Sequence, residues 1–196
     1  ELWKSDGTPV GTQLVTDLFP GAGSGAYSDL TPIGAGVFFL GTNGTSGTEP
    51  YFSDGTAAGT VLLADIGQGA LSSQVGSLHL DVFGAVLYFT ALSSTFGREV
   101  FRTDGTIAGT FLVADGIPGA TGSSPELIGL AGSKLLLLAN LEPSTTGKEL
   151  YYLGPGGYSL VRDMNPGQLF GTAKSTTIAA ANEVGGRLFF GTASDG

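Results

Sequence analysis

Short apolar runs recur along the chain, separated by glycine and small polar residues, and they fall into groups of four. The first run of each group opens with a glutamate and carries an aromatic residue: Glu1-Leu2-Trp3, Glu49-Pro50-Tyr51, Glu99-Val100-Phe101 and Glu149-Leu150-Tyr151. The second is Leu14-Val15, Val61-Leu62-Leu63, Phe111-Leu112-Val113 or Leu160-Val161. The third sets apolar residues at Leu30 and Ile33, Leu80 and Phe83, Ile128 and Ala131, or Ala181 and Val184, just ahead of Gly34, Gly84, Gly132 or Gly185. The fourth is the most apolar: Val37-Phe38-Phe39-Leu40, Leu87-Tyr88-Phe89, Leu135 to Leu138, and Leu188-Phe189-Phe190. A short, continuous apolar run bounded by glycine predicts a strand covered on both faces.

The turn between the first two runs is spelled out three times. Asp6-Gly7-Thr8, Asp54-Gly55-Thr56 and Asp104-Gly105-Thr106 each lead to a Gly-Thr pair, at Gly11-Thr12, Gly59-Thr60 and Gly109-Thr110. Glycine supplies positive φ and aspartate bonds its own downstream backbone, so the motif predicts a hairpin. The fourth copy is degenerate, with Gly154-Pro155-Gly156 in place of Asp-Gly-Thr. A further aspartate follows in every copy, at Asp17, Asp65, Asp115 and Asp163, and Pro20-Gly21, Pro118-Gly119 and Pro166-Gly167 mark glycine-rich segments beyond it.

The glutamates divide the chain into repeats of about 49 residues: 1–48, 49–98, 99–148 and 149–196. Four short antiparallel strands at this period are expected of a β-propeller blade. A parallel β-helix has much shorter coils, and helical or leucine-rich repeats need a helix pattern this chain lacks. The expected fold is all-β: four repeats read as four-stranded antiparallel blades in one continuous domain, part of a larger propeller or repeat array. Because the chain opens and stops inside the motif, both ends are expected to be cut from a longer polypeptide. The alternative is a ring closed by Glu1 to Ser5 pairing with the C-terminal run.

Glu1 to Thr8 resembles the ELWxxDGT repeat at every defined position. That tandem repeat belongs to large, mostly bacterial, secreted or surface-exposed proteins. Copies two and three relax Leu-Trp to Pro50-Tyr51 and Val100-Phe101. The resemblance implies a repeat architecture and an extracytoplasmic setting. It supplies no catalytic residues.

Composition narrows the chemistry. The 34 glycines and only 13% charged residues suit short strands and tight turns, and 41% hydrophobic content argues against disorder. Eight basic against 17 acidic residues give a net charge of −9, which disfavours nucleic acid and anionic lipid. With no cysteine, disulfides, thiolate zinc sites and a cysteine nucleophile are excluded. No apolar run approaches the roughly 18 residues of a membrane-spanning helix, so membrane insertion is not expected.

The remaining candidates each have a structural reading. Asp6, Asp54 and Asp104, and the second series Asp17, Asp65, Asp115 and Asp163, are weak calcium ligands and stronger turn or backbone acceptors. The repeated glutamates belong to the fold, since a glycosidase needs two carboxylates in unlike environments. Asp29, Asp81, Glu126 and Glu142 are irregular acidic positions read as solvated. His79, the single histidine, sits in a predicted strand without metal-ligand partners. The aromatics Trp3, Tyr51, Phe101 and Tyr151 are expected to pack between blades. Asn43-Gly44-Thr45 is a glycosylation sequon in a predicted turn.

The expected function is a non-catalytic, extracytoplasmic structural, assembly or binding module for a protein or glycan partner, with no cofactor assigned. A calcium-stabilised adhesin and a polysaccharide-acting propeller hydrolase or lyase are the alternatives. A specific site is expected where the copies disagree: Ser93 to Arg98, Leu141 to Lys148 and Gly167 to Thr177.

Overall fold

The computed structural model describes the chain apart from Ala22, Val82, Phe83, Pro155 and the segments 142–146, 165–176 and 194–196. Among the described residues all helix and strand structure is β. The first repeat forms β1 (Leu2–Lys4), β2 (Gln13–Thr16), β3 (Ala26–Ile33) and β4 (Gly36–Gly41). The second forms β5 (Glu49–Ser53), β6 (Thr60–Leu62), β7 (Leu78–Leu80) and β8 (Leu87–Ser93), and the third β9 (Gly97–Thr103), β10 (Phe111–Ala114), β11 (Glu126–Ala131) and β12 (Lys134–Ala139). The fourth forms β13 (Glu149–Gly154), β14 (Gly157–Arg162), β15 (Thr177–Val184) and β16 (Arg187–Ala193). Apart from Phe83, outside the described residues, the apolar runs lie within these strands or at their ends. Gly34, Gly84, Gly132 and Gly185 adopt positive φ at the hairpin turns after the third runs, as the sequence pattern expects.

The sheets do not coincide with the repeats. Instead of one blade per repeat there are three four-stranded antiparallel sheets, β3-β4-β5-β6, β7-β8-β9-β10 and β11-β12-β13-β14, and two two-stranded pairs, β1-β2 and β15-β16. Each complete sheet takes the third and fourth strands of one repeat and the first and second of the next. Connection length explains the offset. The short link from β4 to β5 makes a hairpin in which Phe39 lies opposite Tyr51, whereas the longer path from β2 to β3 carries the chain into the next sheet. β1 and β16 belong to separate sheets.

The sheets stack in chain order, with an apolar cluster in each interface. Leu2 and Val15 meet Phe39 and Tyr51. Ile33, Phe38 and Leu40 meet Leu87, Phe89 and Ala91, with ring centroids 5.5 Å apart for Phe38 and Phe89 and 6.0 Å for Phe89 and Phe101. Val100 joins Leu135, Leu137 and Leu153, and Leu136, Leu138 and Leu150 pack with Ile178, Leu188 and Phe190. Successive residues of a strand face opposite sides. Phe38 therefore serves the sheet after its own and Phe39 the one before, which is why the fourth run is apolar throughout.

Two aromatic positions depart from expectation because they lie at the ends of the stack. Trp3 and Phe189 are each 60% exposed, while Tyr51 and Phe101, at the equivalent position to Trp3, are buried. Trp3 thus packs between no two sheets here, and β16 is covered on one face only. Phe89→Ala is expected to destabilise the fold by about 3–5 kcal/mol. Phe189→Ala should fall within about 0.5 kcal/mol of wild type. Urea unfolding of both variants measures the contrast.

Candidate functional site

The three Asp-Gly-Thr turns are built alike. Asp54 Oδ1 accepts from the Thr56 amide at 2.8 Å and the Thr56 hydroxyl at 2.7 Å, Thr56 Oγ1 accepts from the Gly59 amide, and Thr60 Oγ1 donates back to the Thr56 carbonyl. Asp6 and Asp104 repeat these bonds with Thr8 and Thr106. The threonine hydroxyl and amide hold all three carboxyls below the usual aspartate range. Gly7, Gly55 and Gly105 each have φ of 87°, as the turn requires. At Gly59 an added Cβ would lie 2.1 Å from Asp54 Oδ1, so the second glycine of the motif makes room for the carboxylate.

The leading glutamates do something the sequence does not announce. Glu49 and Glu99 are fully buried and Glu149 is 3% exposed. Each carboxylate reaches out of its own sheet to the backbone beyond the second strand. Glu1 accepts from the amides of Leu18 (2.8 Å) and Gly25 (3.3 Å), and Glu49 from those of Ile66 (2.9 Å) and Gly67 (3.2 Å). Glu99 takes the Ser123 amide and hydroxyl at 2.6 and 2.5 Å, and Glu149 takes the Met164 amide.

The residue 24 positions after each of the first three glutamates, Gly25, Ser73 or Ser123, then offers its carbonyl to the next sheet. Thr42, Leu92 and Asn140 donate to it at 2.8, 2.6 and 2.9 Å. Each of these three glutamates is therefore the joint between one sheet and its successor. Burial pushes the carboxyls of Glu49 and Glu149 above their usual range, against the pull of their backbone donors.

The second aspartates are not gathered together. Asp17, Asp65, Asp115 and Asp163 each follow the second strand of a different repeat, and no cluster of three or more potential metal ligands occurs among the described residues. Asp65 accepts from the Gly69 amide, and Asp163 lies beside Glu149. Asp115 Oδ1 is buried without a hydrogen-bond partner among the described residues.

His79 sits in β7, where an added Cβ on Gly129 would lie 3.4 Å from its Nε2. Asp81 accepts two amides in its own hairpin turn, Asp29 accepts from Ser28, and Glu126 pairs with Lys148 at 3.7 Å. The sequon's Asn43 Oδ1 is bonded into its own turn by Thr45 and Ser46. Glu142, Pro155 and Pro166-Gly167 lie outside the described residues, as does Gly167 to Thr177 except for Thr177 itself.

One place breaks the pattern. In the degenerate fourth copy the turn after β13 is two residues shorter than its counterpart after β5, and Tyr158 occupies the position that Thr60 fills there. Freed from the turn, Tyr158 crosses to the neighbouring sheet and donates to Glu99 Oε2 at 2.8 Å, beside Ser123 Oγ. Burial keeps its phenol neutral, far above its ordinary pKa. The shortened turn borders a cavity of about 490 Å³ lined by Val113, Ala114, Asp115, Leu141, Tyr158 and the glycines at 116, 156 and 157. This cavity is the candidate site. Of its wall, Asp115 and Leu141 were singled out from sequence. Tyr158 was not, although an aromatic standing where three copies have threonine is the signal for it. Ser73 and Ser123 were missed too, and their constant spacing from the glutamates would have marked them.

Compared with protein families, curated sequences and solved structures, the chain finds no match.

Glu49→Ala is expected to cost about 3 kcal/mol, because two buried amides lose their acceptor. The folded-state pKa of Glu49 is raised, so its titration favours the fold at low pH and that contribution is lost as pH rises through the folded value. The wild type's stability margin over Glu49→Gln should therefore narrow with rising pH. Asp104→Asn should act on the acid side, where the lowered carboxyl's contribution is lost as pH falls. Denaturant melts across a pH series separate the two. Tyr158→Phe keeps the ring but removes a donor to a buried carboxylate, an expected loss of about 2 kcal/mol by the same method.

Proposed function

We propose that this chain is an arc of β-propeller blades in a secreted or surface-exposed protein, and that it works without catalysis as a structural and binding module for a protein or glycan partner. The observation that carries this reading is how the repeated carboxylates are used. The glutamates hold successive sheets together and the Asp-Gly-Thr aspartates close turns. Glycoside cleavage needs a carboxylate pair roughly 5–10 Å apart across a substrate bond. Carboxylates engaged by their own backbone are poor candidates for that work.

The propeller reading draws support from the stack and its ends. By strand register Trp3 holds the place of Tyr51, and Phe190 that of Phe39, the pair that faces across β4 and β5. The edges of β16 and β1 therefore carry complementary halves of one blade. The resemblance to the ELWxxDGT repeat supports the extracytoplasmic setting.

Since the chain has no cysteine, Trp3→Cys with Phe190→Cys gives a clean crosslinking test under mild oxidation. An intramolecular disulfide is expected of a ring closed within this chain, and disulfide-linked oligomers of edges that take a strand from another unit. Free thiols in the folded protein overturn closure of a ring within this chain. Polysaccharides incubated with the protein should yield no new reducing ends, and their release would overturn the non-catalytic reading. A calcium chelator is expected to leave the melting temperature unchanged, since the second aspartates form no ligand cluster among the described residues.

A further inference from the structure

The cavity between β10 and β14 lies where a short turn replaces the Asp-Gly-Thr hairpin, and its wall is not that of a mere packing fault. A dry cavity is lined by apolar groups. Here Asp115, at the end of β10, lines the space, and one of its carboxylate oxygens is buried with no donor among the described residues. The corresponding Asp65 meets the Gly69 amide, so the third copy has lost a bond that the second one keeps. The carboxylate that lines the cavity is therefore short of a donor on one oxygen.

The other walls restrict what that donor belongs to. No lysine, arginine or histidine lines the cavity, and the chain's net charge is −9, so an anionic ligand finds neither a partner nor a favourable field. A metal ion would meet a single carboxylate there. Glu99 is already engaged by Ser123 and Tyr158, and no cluster of three potential ligands occurs among the described residues. Gly116, Gly156 and Gly157 present backbone without side chains, which offers both donors and acceptors at close approach. Leu141, Val113 and the Tyr158 ring supply an apolar face. A volume of about 490 Å³ lies within the range of small-ligand sites.

We propose that this cavity binds a neutral saccharide residue, with the Asp115 carboxylate accepting from its hydroxyl groups, glycine backbone completing the polar contacts, and Leu141 and Tyr158 packing against its C–H face. The proposal rests on the reading of the chain as a non-catalytic binding module and names the ligand class of that module.

Saturation-transfer NMR and calorimetry with methyl glucoside, methyl galactoside, methyl mannoside and N-acetylglucosamine test it. Binding of at least one probe, one to one and in the millimolar range, is expected. Asp115→Asn should weaken it about tenfold or more without lowering the melting temperature, because Asp115 Oδ1 has no donor among the described residues. Gly156→Leu projects into open space from an unstrained backbone. It should fold normally and block binding.

Failure of every sugar to bind overturns the proposal, as does binding indifferent to both variants. Saturation by ethanolamine alone, weakened by salt, would reassign the cavity to cations and overturn it too. Release of reducing ends from a polysaccharide would overturn the non-catalytic reading while leaving a sugar in the cavity. Absence of sugar binding would remove the cavity site and leave the non-catalytic reading intact.

Discussion

A carboxylate buried between two sheets, with backbone amides of the next segment as its donors, is the constraint on which the arrangement depends. Apolar contact alone is non-directional, and flat apolar faces can slide. Glu49 fixes the direction of travel by holding Ile66 and Gly67, and Ser73 relays that anchor to Leu92 of the following sheet. Removing such a charge from water is costly and is offset only when its lone pairs are well filled. The fill differs between copies. Glu99 is richest in donors, from Ser123 and from Tyr158 of the next sheet.

Much of the strand pattern was legible in the sequence. Phe38-Phe39 and Leu135 to Leu138 announce strands with neighbours on both sides, and Asp54-Gly55-Thr56 announces the turn that it forms. Membership of the sheets was not legible, because β4 pairs with β5 across the boundary at Glu49, and residue identity does not say which of two flanking hairpins shares a sheet. The exposure of Trp3 was likewise hidden. Its apolar character is the same as Tyr51's, and only the presence of a preceding sheet distinguishes them.

The candidate site was legible by location more than by residue. Disagreement among copies pointed towards the segment at Leu141, and the loss of Asp-Gly-Thr in the fourth copy was plain. What escaped was the consequence of that loss in three dimensions. A position that holds threonine inside a turn becomes, in a turn two residues shorter, the root of a long aromatic side chain that crosses to another sheet. Asp115 is identical in type to Asp65, and only the path of the following backbone decides whether its carboxylate finds an amide.

The offset between repeat and sheet has an implication for how such arrays grow. A duplication that begins and ends at the glutamate delivers two strands to the sheet behind it and two to the sheet ahead. The stretch from one glutamate to the next is thus not the unit of folding. A newly inserted copy is knitted by backbone hydrogen bonds into both neighbours from the outset, so lengthening the array creates no seam held by side chains alone.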